Sequence, residues 1–205
     1  MRTANERRRR RLVYGLLGRI RLRRISRRYN PTAVLAVFAF ISAGISITLI
    51  ASLALLTQAA FIFPSLGATA FILFYEPTSS SACPRNTLLG HGIGAIAGWC
   101  ALALFGLLDA PSALQTSVDL SRVGAVGLSL AASCALMVWF RANHPPAAAT
   151  ALIVSLGLMP QLSQIPVLLG GVVLLLLQAW VMNHLAGIDF PLWSHRPDTS
   201  TADDK

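Results

Sequence analysis

The chain contains the segment Asn143-His144-Pro145-Pro146-Ala147-Ala148-Ala149-Thr150-Ala151, which lies in an apolar region yet begins with an amide, an imidazole and two prolines. A proline in a helix interior removes a backbone hydrogen bond and clashes with the preceding turn, but the first turn tolerates it well. We therefore predict that a helix begins at Pro145 or Pro146, with Asn143 or His144 at its N-terminal end. At membrane depth, the free N–H groups of that end must face a polar group.

The composition indicates a membrane protein. The 205 residues are 55% hydrophobic and only 12% charged, whereas soluble domains carry about 25% charged residues. Several apolar runs approach or exceed the roughly 20 residues that span a bilayer as a helix. We therefore predict an all-α polytopic membrane protein, a helical bundle with its membrane domain at residues 30–190 and a polar C-terminal tail at residues 191–205.

Basic residues are concentrated at the start of the chain. The net charge is +9, and twelve of the 17 lysines and arginines lie between Arg2 and Arg28. An arginine cluster directly before an apolar span fixes orientation by the positive-inside rule and attracts anionic lipid. We expect residues 1–29 to be cytoplasmic and the chain to be a multi-pass protein of a bacterial inner (plasma) membrane. Nucleic-acid binding by the same arginines is the alternative, and we do not favour it because the adjacent span alone explains them.

Six apolar segments follow one another along the chain. Four are long, whereas the second and the fifth are short and are interrupted by proline, at Pro64 and at Pro145. If both short segments cross the membrane, the bundle has about six helices; if both are re-entrant, it has four full spans. The third segment carries small residues at a spacing that lets helices approach closely in lipid. These are Gly90, Gly92, Gly94 and Gly98.

The chain contains an internal repeat. A shift of 81 residues places Pro64 on Pro145 and Thr69 on Thr150. Each half then consists of a long span, a proline-interrupted short helix and a second long span. Three crossings per half would invert the second half relative to the first, and paired broken helices in inverted repeats indicate a transporter site near the bilayer midplane. Re-entrant short segments would instead make the repeat parallel. The two halves are residues 32–108 and 121–188.

The same segments resemble the HPP family of integral membrane proteins, which is named for the His-Pro-Pro motif. The resemblance implies a compact bundle of transmembrane helices. Some plant and cyanobacterial relatives are described as nitrite transporters, so nitrite transport is the implied activity, although many bacterial relatives have no assigned substrate. Some relatives carry regulatory CBS domains after the membrane part, and we do not expect one within this chain. The similarity covers about residues 30–187, and the blocks that carry it are His144-Pro145-Pro146-Ala147-Ala148-Ala149-Thr150-Ala151-Leu152, Pro64-Ser65-Leu66-Gly67-Ala68-Thr69-Ala70, Pro84-Arg85-Asn86 and Gly90-His91.

The starts of the two short helices define the candidate site. If they point at one another, free backbone N–H groups and two positive dipole ends would bind a small anion. His144, with an unperturbed pKa of about 6.5, would also gain a proton at mildly acidic pH and couple the anion to proton movement. The candidate substrate-binding residues are Pro64, Ser65, Thr69, Asn143, His144, Pro145, Pro146 and Thr150.

Structural roles for the same residues stay open. His144 would alternatively cap its own helix, and the Thr150 hydroxyl would bond to carbonyls of its own helix. Arg85 and Asn86 would either cap the third helix and anchor lipid headgroups or form a vestibule for anions. His91 is expected to pair across helices rather than to contact substrate.

The sequence therefore predicts membrane transport of a small inorganic anion, with nitrite favoured by the resemblance. The alternative is a structural or assembly membrane protein without transport activity. We do not expect an enzyme, because the chain has no HExxH pair, GxSxG elbow or Walker-type loop and no carboxylate pair within the spans. No metal or cofactor is expected. The predicted partners are the bilayer, anionic lipid and a small anion, with no nucleic acid, and a homo-oligomer is compatible with the sequence.

Overall fold

The computed structural model describes residues 22–59 and 61–194 and shows a bundle of helices. The predicted all-α membrane fold is confirmed. Most of the predicted basic segment and of the polar tail, residues 1–21 and 195–205, lie outside the described residues. Single helical turns lie at Leu22–Ile25 and Ala113–Thr116, and a 3₁₀ turn lies at Ser80–Ala82. The longer helices are α1 (Pro31–Thr57), α2 (Pro64–Tyr75), α3 (Pro84–Leu104), α4 (Leu120–Trp139), α5 (Pro146–Ser155) and α6 (Gln164–Leu185).

Prolines start four of these longer helices, namely α1, α2, α3 and α5. In the first turn, the missing N–H of proline costs no intrahelical hydrogen bond. In α1 a side chain completes the start, because Asn30 Oδ1 accepts a hydrogen bond from Thr32 N–H at 2.9 Å. The double proline begins α5 at Pro146, with Pro145 as the residue before the helix. The sequence-based prediction of a helix start at this segment is therefore confirmed.

Four helices are long and apolar enough to cross a membrane: α1 with 27 residues, α3 with 21, α4 with 20 and α6 with 22. The two short helices have 12 residues in α2 and 10 in α5. These lengths correspond to about 15–18 Å, which is roughly half of the hydrocarbon core of a bilayer. Non-helical chain before α2 and before α5 therefore forms part of these two passes, since Phe61 lies against Gly171 of α6 and His144 against Gly90 of α3.

Backbone contacts show which helix ends lie together. At one end of the bundle, here called the near end, Leu22 N–H donates to Ala186 O at 3.1 Å and Arg85 N–H donates to Trp193 O at 2.9 Å. The starts of α1 and α3 and the end of α6 therefore lie at the near end. The end of α4 joins them, because the Arg85 guanidinium donates to Phe140 O at 3.2 Å.

Both short helices run along the bundle instead of turning back. α2 ends towards the near end, where Asn183 Nδ2 of α6 donates to Leu73 O at 3.0 Å. α5 ends at the opposite end, here called the far end, where Leu156 O accepts from Ala113 N–H at 2.9 Å. The chain direction therefore alternates from α1 to α6, and the second half is inverted relative to the first. Of the two arrangements left open by the sequence, the structure has the one with three passes per half.

The 81-residue repeat is visible in the bounds of the helices. After the shift, both bounds of α2 and of α3 fall within one residue of the bounds of α5 and of α6, and the end of α1 falls within one residue of the end of α4. Only the start of α1 differs, because α1 is 27 residues long and α4 is 20. The two halves therefore share one pattern of elements.

Glycines bring α3 and α5 into close contact. An ideal Cβ on Gly98 would lie 2.7 Å from Val154 Cβ, and one on Gly94 would collide with the carbonyl oxygen of Ala147. By contrast, a Cβ on Gly92 would have no neighbour within 4 Å. The sequence-based expectation of close approach therefore holds for the α5-facing glycines of α3, and it is wrong for Gly92.

This difference gives a matched pair of substitutions. Gly94→Ala should destabilise the protein by about 1–3 kcal/mol, because the new methyl group overpacks the contact with α5. Gly92→Ala should be neutral or stabilising by up to about 1 kcal/mol, because alanine is the better helix former. The apparent melting temperature of the purified protein in detergent measures both effects. Equal melting temperatures of the two variants would contradict the close contact.

Candidate functional site

Five polar side chains meet in the interior where α2 and α5 pack together beside α3. We call them the polar centre: Ser65, Thr69, His91, His144 and Thr150. Each of them is 1% exposed or less. Buried polar side chains are stable only with hydrogen-bond partners, so their contacts determine what the polar centre can do.

Short contacts join the polar centre into one chain of hydrogen bonds. Ser65 Oγ lies 2.7 Å from Thr150 Oγ1, which lies 2.7 Å from His91 Nδ1. His91 Nε2 lies 2.9 Å from Thr69 Oγ1, which lies 3.1 Å from His144 Nε2. These hydrogen bonds therefore connect α2, α3, α5 and the segment that precedes α5.

This chain of hydrogen bonds ends at a backbone carbonyl. His144 Nδ1 donates to Ser81 O at 2.7 Å. Because a carbonyl oxygen only accepts hydrogen bonds, Nδ1 of His144 carries a hydrogen. The remaining nitrogen, Nε2, then points at Thr69 Oγ1. The Ser80–Ala82 turn thus fixes both the orientation of the His144 ring and its neutral tautomer.

The repeat explains why these residues meet. Thr69 and Thr150 occupy equivalent positions on the second turn of α2 and of α5, and each contacts His91 from its own half. Gly90, the residue before His91, lets the backbone that carries His144 approach α3, since a Cβ there would lie 3.0 Å from His144 Cβ. The two imidazole rings consequently lie with their centroids 5.0 Å apart.

The helix starts offer fewer free N–H groups than we expected. At the start of α5, Ala147 N–H donates to His144 O at 3.0 Å and Ala148 N–H donates to Pro145 O at 3.0 Å. Proline supplies no N–H at the first positions. The expectation that free backbone N–H groups form the site is therefore wrong at these positions of α5, and side chains supply the polar groups instead.

Two residues have other contacts than we expected. The Thr150 hydroxyl faces α2 and α3, so it contacts His91 and Ser65 instead of bonding only to carbonyls of its own helix. Asn143 is exposed, and its side chain donates to Ser80 Oγ at 3.2 Å. Asn143 therefore lies outside the polar centre.

The remaining predicted site residues are prolines that shape the backbone. Pro64 and Pro146 start α2 and α5, and Pro145 is the exposed residue before α5.

A cavity of about 550 Å³ lies beside the polar centre at the near end. Its wall includes Asn86, Cys134, Arg141, Asn143 and His144. His144 is thus the residue that belongs both to the polar centre and to the cavity wall. A transport site formed by both helix starts would place them at one shared polar cavity, whereas sealing by side chains would indicate a packing role. Ser65, Thr69 and Thr150 are sealed among their neighbours and are not part of this wall.

The secondary candidates Arg85 and Asn86 have different roles. The Arg85 guanidinium donates to Phe140 O at 3.2 Å and to Arg141 O at 3.3 Å, so it caps the end of α4 and not the start of α3. It also donates to Asn86 Oδ1 at 2.9 Å. Asn86 in turn donates to Ser80 O at 2.9 Å and lines the cavity. Asn86 therefore lines the cavity, whereas Arg85 holds part of its wall in place through Asn86 and the end of α4.

His91 is more central than its rank as a secondary candidate suggested. It pairs across helices, as expected, but it does so as the middle member of the polar centre. Phe63 closes one side of its ring in an edge-to-face contact with centroids 5.9 Å apart. In the sequence, the signal for this central position was an ionisable residue inside an apolar span. Such a residue is costly in a membrane and indicates a functional or pairing role.

His144 is buried, with only 1% of its surface exposed. A charged imidazole away from water is costly unless a compensating charge lies beside it. The expected proton uptake by His144 therefore requires a negative charge beside the ring.

Residues 28–191 match the family described as HPP, transmembrane region. A transmembrane protein of Dictyostelium discoideum is 30% identical over 134 residues, which are 63% of this chain and 44% of that protein. The chain thus spans less than half the length of this relative. No solved structure has a significant match. The chain belongs to the HPP transmembrane family.

Proposed function

We propose that the protein transports a small inorganic anion through the bundle and that the anion reaches the polar centre by way of His144. The observation that carries this proposal is the position of His144, which lines the cavity and also contacts Thr69 Oγ1 at 3.1 Å. A solute in the cavity would therefore meet the one side chain that leads directly into the buried hydrogen-bond chain.

The cavity wall suits an anion. Arg141 brings a positive charge, and the amides of Asn86 and Asn143 bring hydrogen-bond donors. The N-terminal end of α5 adds the positive end of its dipole. Small charged solutes with few atoms match such a wall better than large apolar ones. Nitrite is the first substrate to test, and the reason is the resemblance to relatives described as nitrite transporters.

The inverted repeat suggests how a sealed polar centre would pass a solute. In transporters built from inverted repeats, one half rocks against the other around a fixed site, which opens alternately to each side. Here the Ser65–Thr150 contact joins the two halves directly in the interior. We take the structure as the arrangement in which the far side is closed and the cavity borders the near side.

The orientation follows from charge. The near end carries Arg85 and Arg141, whereas Arg122, at the far end, is buried against the end of α5. By the positive-inside rule, the near end faces the cytoplasm. We propose a bacterial inner membrane as the location, with the arginine-rich N-terminal segment on anionic lipid at the same side.

Two cysteines allow a direct test of the pathway. Cys134 is exposed and lines the cavity, whereas Cys100 is exposed on α3 and is not part of the cavity wall. A negatively charged methanethiosulfonate reagent should block anion flux in Cys100→Ser, which keeps Cys134. The same reagent should leave flux unchanged in Cys134→Ser, which keeps Cys100.

Protection by substrate completes this test. Excess nitrite should slow the modification of Cys134, because both ions would occupy the same cavity. The measurement is anion flux into proteoliposomes, with the extent of labelling followed by intact-protein mass spectrometry. Complete labelling of Cys134 with unchanged flux would place the pathway elsewhere.

The alternative function is a structural or assembly role in the membrane. It is favoured by the way in which the five side chains of the polar centre satisfy one another, because such a network also makes a bundle specific and rigid. A structural role predicts that the reconstituted protein passes no anion, although substitutions in the polar centre destabilise it.

A further inference from the structure

The hydroxyl of Thr69 lies at a junction of three hydrogen bonds. Thr69 Oγ1 is 2.9 Å from Ser65 O, 2.9 Å from His91 Nε2 and 3.1 Å from His144 Nε2. Thr69 has one hydrogen to donate and two lone pairs with which to accept. The hydrogens on the two imidazoles therefore decide which of the three contacts the Thr69 hydroxyl can donate to.

When His144 is neutral, only two hydrogens are available for the three contacts of the Thr69 hydroxyl. Nδ1 of His144 carries the only ring hydrogen, because it donates to Ser81 O at 2.7 Å. Nε2 then has a bare lone pair, and the Thr69 hydroxyl must donate to it. Ser65 O consequently loses the hydrogen of Thr69, although the two oxygens lie 2.9 Å apart.

One added proton completes every contact. If His144 carries hydrogens on both nitrogens, Nε2–H donates to Thr69 Oγ1 and Nδ1–H still donates to Ser81 O. The Thr69 hydroxyl is then released to donate to Ser65 O. His91 keeps its hydrogen on Nε2, which also donates to Thr69, and its Nδ1 accepts from the Thr150 hydroxyl at 2.7 Å.

We propose that a proton is the second ligand of this site: His144 takes up one proton on Nε2, and the Thr69 hydroxyl turns from His144 to Ser65 O as it arrives. The new N–H bond forms as an O–H bond of a hydronium ion breaks, which leaves a neutral water molecule, and no other covalent bond changes. The hydronium ion reaches His144 from the cavity that this residue lines. Loss of the proton reverses the rotation of the hydroxyl.

The surroundings direct the proton to His144. The titratable and charged side chains that face it are His91 from α3 and, along the cavity, Cys134 and Arg141 from α4 and the segment after it. No carboxylate belongs to the cavity wall formed by the described residues. An anion in the cavity would therefore be the counter-charge that favours protonated His144, and by linkage the proton would favour binding of the anion to the same degree.

Proton uptake by His144 does not depend on passage of the anion through the bundle. The further step, that the proton travels together with the anion as a neutral pair, rests on the proposed transport function. The two statements fail in different experiments, because the first is read from the imidazole nitrogens and the second from flux.

Nitrogen NMR of the histidines tests the proposal. The 205-residue protein, labelled with ¹⁵N in histidine, is reconstituted in lipid vesicles and titrated from about pH 8 to about pH 2.5. His184→Gln and His195→Gln remove the other two histidines from the spectrum. We expect hydrogen on Nδ1 of His144 and on Nε2 of His91 at the start, and we expect His144 to become doubly protonated first while His91 stays neutral.

Nitrite and Thr69 variants make the test specific. Sodium nitrite should shift the titration midpoint of His144 to higher pH. Thr69→Val should shift this midpoint to lower pH by at least about one unit, because the new N–H of His144 loses its acceptor. Thr69→Ser should leave the midpoint close to that of the parent protein, because the hydroxyl is kept. If His144 carries its hydrogen on Nε2 at neutral pH, or if His91 protonates first, the proposal is overturned even if the valine variant does not fold.

Discussion

Replacing Thr69 with valine is expected to reduce anion flux at least about tenfold, because a loss of about 1.4 kcal/mol at the rate-limiting step is sufficient for that effect. Valine has nearly the shape of threonine but no hydroxyl. The contacts of 2.9 Å to His91 Nε2 and 3.1 Å to His144 Nε2 would disappear. A buried polar group without its partner costs about 1–3 kcal/mol, so the pathway through the polar centre should be disrupted.

Thr69→Ser is the matched control for this substitution. Serine keeps the hydroxyl at the junction and removes only a methyl group, so it should retain most of the flux. Both variants should be compared per molecule of reconstituted protein, after size-exclusion chromatography has shown that each is monodisperse. Parent-like flux in the folded valine variant would show that the anion does not depend on the polar centre.

Replacing Arg122 with methionine is expected to destabilise the protein by about 3 kcal/mol or more, as is typical when a buried charged hydrogen-bond donor is removed from its partners. Arg122 is only 3% exposed. Its guanidinium donates to Ser155 O at 3.2 Å and to Pro111 O at 2.8 Å. It therefore satisfies the C-terminal end of α5, where the helix dipole also favours a positive charge.

Arg141 supplies the control for that experiment. It is exposed and lies in the left-handed region with φ 51°, where glycine is favoured. Arg141→Gly should therefore leave the melting temperature in detergent unchanged or raise it slightly, although it removes the same charge. If Arg122→Met and Arg141→Gly have the same melting temperature, the buried arginine does not hold α5 in place.

Much of the fold follows from local signals in the sequence. Proline at Pro64 and Pro146 begins a helix because no hydrogen bond is lost there, and the apolar runs between the polar connections set the length of each pass. The 81-residue shift of the proline-started helices predicts two halves with one pattern of elements, since helix bounds are local properties that a repeat copies together. It leaves open whether the halves are parallel or inverted, because that depends on whether the short segments cross the bundle.

The contacts of the site follow less well, because they depend on how separate helices are rotated and shifted against each other. Nothing local reveals that His91 faces Thr69 and Thr150 at once, or that Gly92 points away from α5 while Gly94 touches it. Arg122 lies at the start of α4, at the far end of the bundle, where the positive-inside rule does not favour a basic residue. Its side chain is buried against the end of α5, so its charge has a structural partner.

The most direct test of the central claim is nitrite uptake into proteoliposomes that contain the purified protein, with protein-free liposomes as the control and nitrate and chloride for comparison. We predict uptake above the control that saturates with nitrite concentration and becomes faster when the nitrite side is made more acidic. If folded protein in intact vesicles passes none of the three anions, the transport proposal is contradicted, and the polar centre is then a structural element of the bundle.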